Sequence, residues 1–493
     1  MIFTLQNGDS MLRFLFITIL LVSAGEGYSQ SDQKIADIDT LLNSYSKYEQ
    51  LNGNLLVAEN GRITYQKSFG KSNFELNTDN TIDTKFRIAS ISKVFTVVLT
   101  FILAQEGKLN LDDKVSKYIP DFPHANNISL DQLLSHRSGL VDHRNLGEKY
   151  HNIYGMARLS RTEMLGVFKD SASLFEPGSA WKYSNFGYNL MATILEKISG
   201  KSYDQLVTEK IFIPCAMQSS ATLERREVIP KLSSTYELGF DGLAPAQYYD
   251  GSMMVGAGSV VTSASDLFLF FSNIKKGTLL NQKFLNKFYE KSFVDENGTP
   301  AGYSTWFFKH PKNKRDSVSI MFAAGNHFGT HALVYQPVAE DKLIVVLLNI
   351  RSRKLFEIAD NVLNILYEVP FEKPKDSYVR WFAKDIRELG IKAATDRFRK
   401  NKKTKGDAWT HQPRDLNQLG YHYMGIGKTA VAVEIFRLNL EYFPNESDFY
   451  DSLGEALAKL GDTKNAIENL KKSLELNPQN DHAKEILKSL KAN

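Results

Sequence analysis

Residues 413–446 and 447–480 align with one another at a spacing of 34. Leu416 matches Tyr450, Leu419 matches Leu453, and Gly420 matches Gly454. Ala432 matches Ala466, Phe436 matches Leu470, and Pro444 matches Pro478. Self-similarity at a fixed period constrains a chain strongly, because each unit must bury its apolar face against its neighbours. Large residues and a Gly fall on the first predicted helix of each unit. The Ala of the second helix allows close approach, and Pro ends that helix.

This pattern resembles the tetratricopeptide repeat. The resemblance implies paired antiparallel helices stacked into a solenoid, with a concave face for a protein or peptide partner. Steadying the neighbouring region is the alternative role. Two units fall short of the three or so usually needed for stability. His482–Leu490 is therefore expected to cap the stack, and the helical stretch Tyr378–Lys400 to complete it or dock it.

Upstream, residues 32–48 place Ile35, Ile38, Leu41, Leu42 and Tyr45 at helical spacing. A hairpin follows, 54–59 and 62–69, turning at Asn60-Gly61, because both turn residues must accept positive φ. A helix is expected from Ile88 to about Gly107. Residues 110–275 read as mostly helical. Strands are expected at Ser317–Ala323, His331–Gln336 and Leu343–Ile350, and a last helix at Lys354–Tyr367. Strands at both ends with helices between predict an α/β sandwich whose sheet is closed by distant chain. Residues 369–377, which include two Pro, read as a linker to an all-α region at 378–493.

Of 493 residues, 43% are hydrophobic and 24% charged, which excludes collagen, low-complexity disorder and a polytopic membrane protein. Sixty basic against 56 acidic residues give +4, too balanced for a nucleic-acid partner. Arg399–Lys405 is a short charged stretch expected to be solvated. Residues 11–22, MLRFLFITILLV, followed by small and polar residues, have the layout of a signal peptide within 1–30, its start possible at Met11. The apolar run is short for a span, so a periplasmic or secreted location without a stable membrane anchor is expected. The single Cys215 forms no intramolecular disulfide and no thiolate metal site by itself.

Ser90-Ile-Ser-Lys93 opens the helix after Phe86-Arg87-Ile88-Ala89. Positions three apart share a helical face, so Lys93 can reach the Ser90 hydroxyl. A serine hydroxyl needs a base to become a nucleophile, and a helix amino terminus offers N–H groups to an oxyanion. A buried lysine sheds its proton more readily than an exposed one. The spacing alone is weak, since Ser31/Lys34, Ser44/Lys47, Ser68/Lys71, Ser179/Lys182 and Ser272/Lys275 share it.

Context singles out Ser90. Phe86–Pro123, Leu133–Leu140 (LLSHRSGL), Phe175–Pro214 and Gly256–Phe270 together resemble the β-lactamase-related serine hydrolases, over roughly residues 35–367. That family includes class C β-lactamases, penicillin-binding proteins, D-amino-acid peptidases and S-x-x-K esterases. The resemblance implies a β-lactamase/transpeptidase-like sandwich: an antiparallel sheet flanked by helices. It implies Ser90 as nucleophile and Lys93 with Tyr183 as the base system. Tyr183-Ser-Asn185 fits the family's Tyr-x-Asn better than Tyr150-His-Asn152, since it follows Glu176-Pro177-Gly178. Asn185 would orient Lys93 and hold a substrate carbonyl.

The third family element, Lys or His, any residue, then Gly, falls on Ala323-Ala324-Gly325. Ala323 stands where the substrate-binding cation is expected. Gly325 keeps a close backbone approach, and the Asn326 N–H would pair with that of Ser90 as an oxyanion hole. Loss of the cation disfavours carboxylate-bearing β-lactams and D-alanyl peptides and favours a neutral ester or amide. His327 and His331 are nearby substitutes, and His136 is read as structural. No G-x-S-x-G, H-E-x-x-H or phosphate loop is present, and no cofactor is implied. The expected function is an exported serine hydrolase with an acyl-enzyme on Ser90, acting on a small ester, amide or peptide. The alternative is a catalytically impaired penicillin-binding-like protein or a repeat-based interaction scaffold.

Overall fold

The computed structural model describes residues 32–142, 158–169, 171, 173–224, 227–405, 409–410 and 413–492. The signal-peptide reading and the Tyr150/Asn152 alternative lie outside them. These residues divide into two compact units.

The first unit is built on an eight-stranded antiparallel sheet. Helix α1 (residues 32–47) precedes β1 (Gly53–Glu59) and β2 (Arg62–Phe69). Asn60 and Gly61 join these strands at φ 53° and 72°, the left-handed pair that a tight hairpin demands. The remaining strands come late: β3 (Phe293–Val294), β4 (Pro300–Ala301), β5 (Trp306–Pro311), β6 (Ser317–His327), β7 (Thr330–Pro337) and β8 (Lys342–Leu348). Their order is β3-β4-β5-β6-β7-β8-β1-β2, so β8 returns to pair with β1, Leu348 opposite Gly53. The sheet is closed by chain nearly 300 residues away, as the sandwich reading required. Strands β3 to β5 were not anticipated; two are only two residues long, and the run in β5 (WFFKHP) lacks clean alternation.

Alternation sends the two sets of strand side chains to opposite faces. Leu55, Val57, Leu333, Ile344 and Val346 pack with Leu41, Leu42 and Tyr45 of α1 and with Ile358, Val362 and Leu363 of α5 (Leu355–Leu366). Leu56, Ala58, Val334, Val345 and Leu347 pack on the other side with α2 (Ser92–Gln105), α3 (Asn185–Ser199) and α4 (Ala264–Lys275). Each such aliphatic side chain stabilises the fold by roughly 1.5–3 kcal/mol. Helix α2 is buried from Ser92 to Leu103, so it is a central helix with apolar residues all round rather than an amphipathic one. Its start, beside the edge of β6, is where the site forms.

The second unit holds α6 (Tyr378–Leu389), α7 (Ile391–Lys405), α8 (Pro413–Gly425), α9 (Thr429–Tyr442), α10 (Ser447–Lys459), α11 (Thr463–Leu476) and α12 (Asp481–Ala492). The repeat positions explain the pairing. A Cβ on Gly420 would meet the Phe436 ring at 2.3 Å, and one on Gly454 would meet Leu470 at 2.6 Å. Ala432 and Ala466 are fully buried between the paired helices. The helical stretch expected from Tyr378 consists of two helices, parted at Gly390 with φ 81°. The division falls between Lys373 and Pro374, and the short segment Leu238–Ala244 also belongs to this unit. That segment is held there by a hydrogen bond from Arg387 to the Phe240 carbonyl and by Asp241 3.0 Å from His422. Seven residues borrowed from far upstream carry no periodic signal, so nothing in the sequence marked them.

Candidate active site

Ser90 sits in a 3₁₀ turn, Ala89–Ile91, that leads directly into α2. Ala89 takes φ 44°, an uncommon value for a residue with a Cβ, and it is buried where neighbours hold it. One helical turn on, Lys93 is fully buried. Its Nζ donates to Ser90 Oγ at 3.1 Å, Asn185 Oδ1 at 2.7 Å and the Ala257 carbonyl at 2.7 Å. These three acceptors are neutral oxygens. The Ala257 loop reaches the lysine because Gly256, at φ 76°, passes where a Cβ would lie 2.7 Å from the Tyr188 carbonyl.

Tyr183 and Asn185 arrive at the amino terminus of α3. Tyr183 Oη lies 2.7 Å from Ser90 Oγ, and Lys93 Nζ lies 4.9 Å from the Tyr183 ring centre. His136 backs this tyrosine, ring centres 4.5 Å apart. Its Nδ1 accepts from the Ser184 N–H at 3.2 Å, which leaves Nε2 to donate to Ser304 Oγ at 3.1 Å. Ser304 donates in turn to Tyr188, whose phenol burial raises well above the ordinary range. His136 is thus tied into a neutral network behind the site. Asn185 donates from both its backbone N and its Nδ2 to Asp142 Oδ2, at 2.7 and 3.0 Å.

The third wall is the end of β6. A Cβ on Gly325 would lie 2.0 Å from the Ile88 carbonyl oxygen and 3.1 Å from the Ser90 nitrogen. Only glycine lets the strand come this close to the nucleophile turn. The β6–β7 hairpin closes with His327 opposite Thr330, so residues 327, 325 and 323 exchange hydrogen bonds with β7. Asn326 therefore points its N–H away from β7. Strand β5 begins pairing only at Phe322, so that N–H faces the cleft. Ala323 is a correction: expected to line the site, it is 1% exposed and packs in the core on the helical side. From that position a methyl group is too short to reach the opening.

The cleft in front of Ser90 has a volume of about 740 Å³. Trp181, Trp306 and Phe322 form apolar walls, and the Tyr183 ring stacks toward Trp306 at 6.5 Å. Glu237, Asp295, Glu296 and Arg351 bring charge to the lining. Glu296 pairs with Lys182, and Asp295 accepts from Asn297 N, Thr299 N and the Trp306 indole. His327 lines the cleft with its ring 3.9 Å from that of Tyr249. His331 instead bonds the Ser352 carbonyl at 2.8 Å, and burial lowers its pKa below the ordinary 6.5. Among the described residues no cluster of three metal-ligating side chains occurs.

Ser90, Lys93, Tyr183, Asn185, Gly325 and Asn326 are thus gathered around one opening. A family model described as Beta-lactamase matches residues 38–366. The chain belongs to the β-lactamase family. It is a serine hydrolase of that family, extended at its carboxyl end by helices of which residues 447–480 match a tetratricopeptide-repeat model. Among curated β-lactamase-family relatives, penicillin-binding protein 4* of Bacillus subtilis (strain 168) is 28% identical over 69% of this chain and 77% of its own. Teichoic acid D-alanine hydrolase of Staphylococcus aureus (strain MRSA252) is 28% identical over 66% of this chain and 76% of its own. The solved penicillin binding protein from Bacillus halodurans shares the fold, with TM-score 0.59 and 21% identity over 66% of this chain and 99% of that one.

Several members of the β-lactamase-family site escaped the sequence reading. Asp142 lies just past the LLSHRSGL run and carries no spacing rule of its own. Ala257 contributes a backbone carbonyl, which no side chain can advertise. Trp181 and Trp306 come from loop and strand segments whose meeting depends on the whole fold.

Proposed function

We propose that this protein is an exported serine hydrolase that works through an acyl-enzyme on Ser90. The observation that carries the reading is the Ser90 hydroxyl held 2.7 Å from Tyr183 Oη and 3.1 Å from Lys93 Nζ. The Lys93–Tyr183 pair takes the hydroxyl proton as Ser90 Oγ attacks a carbonyl carbon. The N–H groups of Ser90 and Asn326 receive the negative charge on the carbonyl oxygen. Tyr183, beside the reacting oxygen, returns the proton to the leaving group. Water then attacks the ester on Ser90; the same pair takes its proton and passes it to Ser90 Oγ as the acyl–oxygen bond breaks, and the free acid departs.

The substrate is an ester or amide that does not rely on a carboxylate for recognition. Ala323 supplies no cation, and three carboxylates against one guanidinium line the cleft. A D-alanyl group on a larger molecule fits this chemistry, in line with the teichoic acid D-alanine hydrolase among the relatives. The repeats are proposed to hold a protein or peptide partner. Export rests on the layout of residues 11–29.

The test is covalent labelling of the full chain. A fluorophosphonate and a p-nitrophenyl ester should both react, and intact mass should show one adduct that Ser90→Ala abolishes. Labelling that survives Ser90→Ala would overturn the reading.

A further inference from the structure

Asp142 is 3% exposed, and nothing in the reaction just described uses it. Its Oδ2 accepts two hydrogen bonds from one residue, Asn185, through the backbone N at 2.7 Å and Nδ2 at 3.0 Å. The same loop holds the preceding residue as well: Ser184 N donates to His136 Nδ1, and Ser184 Oγ donates to the Val141 carbonyl at 3.3 Å. We propose that Asp142 is a positioning residue that fixes the orientation of the Asn185 amide and, through it, aims the Lys93 lone pair at Ser90. The proposal rests on the acyl-enzyme reading.

An asparagine amide has two nearly isosteric orientations, one the reverse of the other. Here its flanks choose between them. A carboxylate only accepts, so it demands Nδ2 on its side. That leaves Oδ1 facing Lys93, 2.7 Å away. The Ala257 carbonyl is a second oxygen at the same distance. A neutral lysine amine has two hydrogens and one lone pair. Asn185 Oδ1 and Ala257 O, both acceptors here, occupy the two hydrogens. Once Lys93 has lost its third proton, its lone pair can turn to Ser90 Oγ, 3.1 Å away, and accept the hydroxyl proton.

With the amide reversed, Nδ2 would face the amine and donate into that lone pair. The base would be occupied by a neighbour instead of the nucleophile. The expected signature is therefore a fall in the acylation rate that an oxygen-bearing replacement of Asp142 relieves.

The experiment uses the full chain and follows the rate of fluorophosphonate labelling together with kcat and KM for a p-nitrophenyl ester. Asp142→Ala and Asp142→Ser, which lose the acceptor at that position, should label at least about tenfold more slowly. Asp142→Asn keeps an oxygen in the same place and should stay within about threefold of the wild type. A folded Ala or Ser variant that labels at the wild-type rate overturns the proposal. So does an Asn variant as slow as the Ala variant, since the acceptor would then not be what matters. If neither truncation folds, the wild-type chain decides: the Asn185 side-chain amide should show a strongly protected proton by NMR, and free exchange overturns the proposal. These outcomes are separate from failure of the acyl-enzyme reading, which shows as labelling that Ser90→Ala does not remove.

Discussion

Ser90 Oγ and Tyr183 Oη lie 2.7 Å apart although 93 residues separate them in the chain. One belongs to the turn that opens the central helix, the other precedes a second helix, and the proposed nucleophile and proton carrier are these two hydroxyls. The consequences below follow from that convergence.

Lys93→Met keeps the length and apolar stem of the side chain but removes the amine. Ester turnover should fall by about 10²–10⁴-fold, the usual contribution of a positioned general base. Circular dichroism should show a folded chain, and steady-state kinetics with the p-nitrophenyl ester supply the readout. Turnover within tenfold of wild type would assign the base role elsewhere.

Gly325→Ala puts a methyl group 2.0 Å from the Ile88 carbonyl oxygen. Either β6 or the nucleophile turn must shift. Overpacking of this kind costs about 1–3 kcal/mol of stability. A displacement near 1 Å between Asn326 and Ser90 should cost roughly 10²-fold in acylation. Thermal melts and labelling rates measure the two effects separately.

Substrate charge should matter in a defined direction. A neutral acetyl ester should acylate Ser90 faster than a penicillin, because the buried Ala323 puts no cation at the opening for the penicillin's carboxylate. A charge-assisted hydrogen bond contributes about 1.5–3 kcal/mol, so the missing one predicts a deficit on the order of tenfold to a hundredfold for the penicillin. Comparing second-order acylation rates by intact mass tests this; equal rates would show that Arg351 or another group replaces the lost cation.

Acid stability should depend on Glu340. Burial pushes its carboxyl up, but hydrogen bonds from Lys312, Lys342 and Tyr367 outweigh burial and hold it at about 2. A carboxyl whose pKa is lower folded than unfolded stabilises the fold above its unfolded pKa, and that stabilisation is lost as pH falls through the folded value. The contribution should therefore be complete above about pH 4.5 and vanish toward pH 2. Glu340→Gln should flatten the fall in melting temperature across that window; an unchanged profile would assign the acid sensitivity to other carboxyls.

Much of the site was legible because its parts obey local rules. Ser90 and Lys93 share a helical face whatever surrounds them; Gly325 as a close approach came from aligning it with the glycine of the family's third element. The hairpin at Asn60-Gly61 and the pairs Gly420/Phe436 and Gly454/Leu470 likewise follow from turn chemistry and from a repeat that pairs small with large. Ala323 shows the limit. Its alignment with a substrate-binding cation said nothing about which way a methyl group would face or how far it would reach. The break at Gly390 divides the helical stretch Tyr378–Lys400 in two, a boundary that apolar spacing alone does not reveal.

Sequence by itself determined the periodic and contiguous features: the repeat from its fixed period, and the hairpin and the helix after Ser90 from dihedral preferences and local spacing; Tyr183 and Asn185 came from the family resemblance. Tertiary structure alone decided that Asp142 grips Asn185, that the Ala257 carbonyl meets Lys93, that Trp181 and Trp306 wall the cleft, and that residues 238–244 join the helical unit. Those contacts arise between segments far apart in the chain that meet only in the folded protein. Their partners are chosen by packing and by the need of buried polar groups to be satisfied, neither of which leaves a local pattern in the chain.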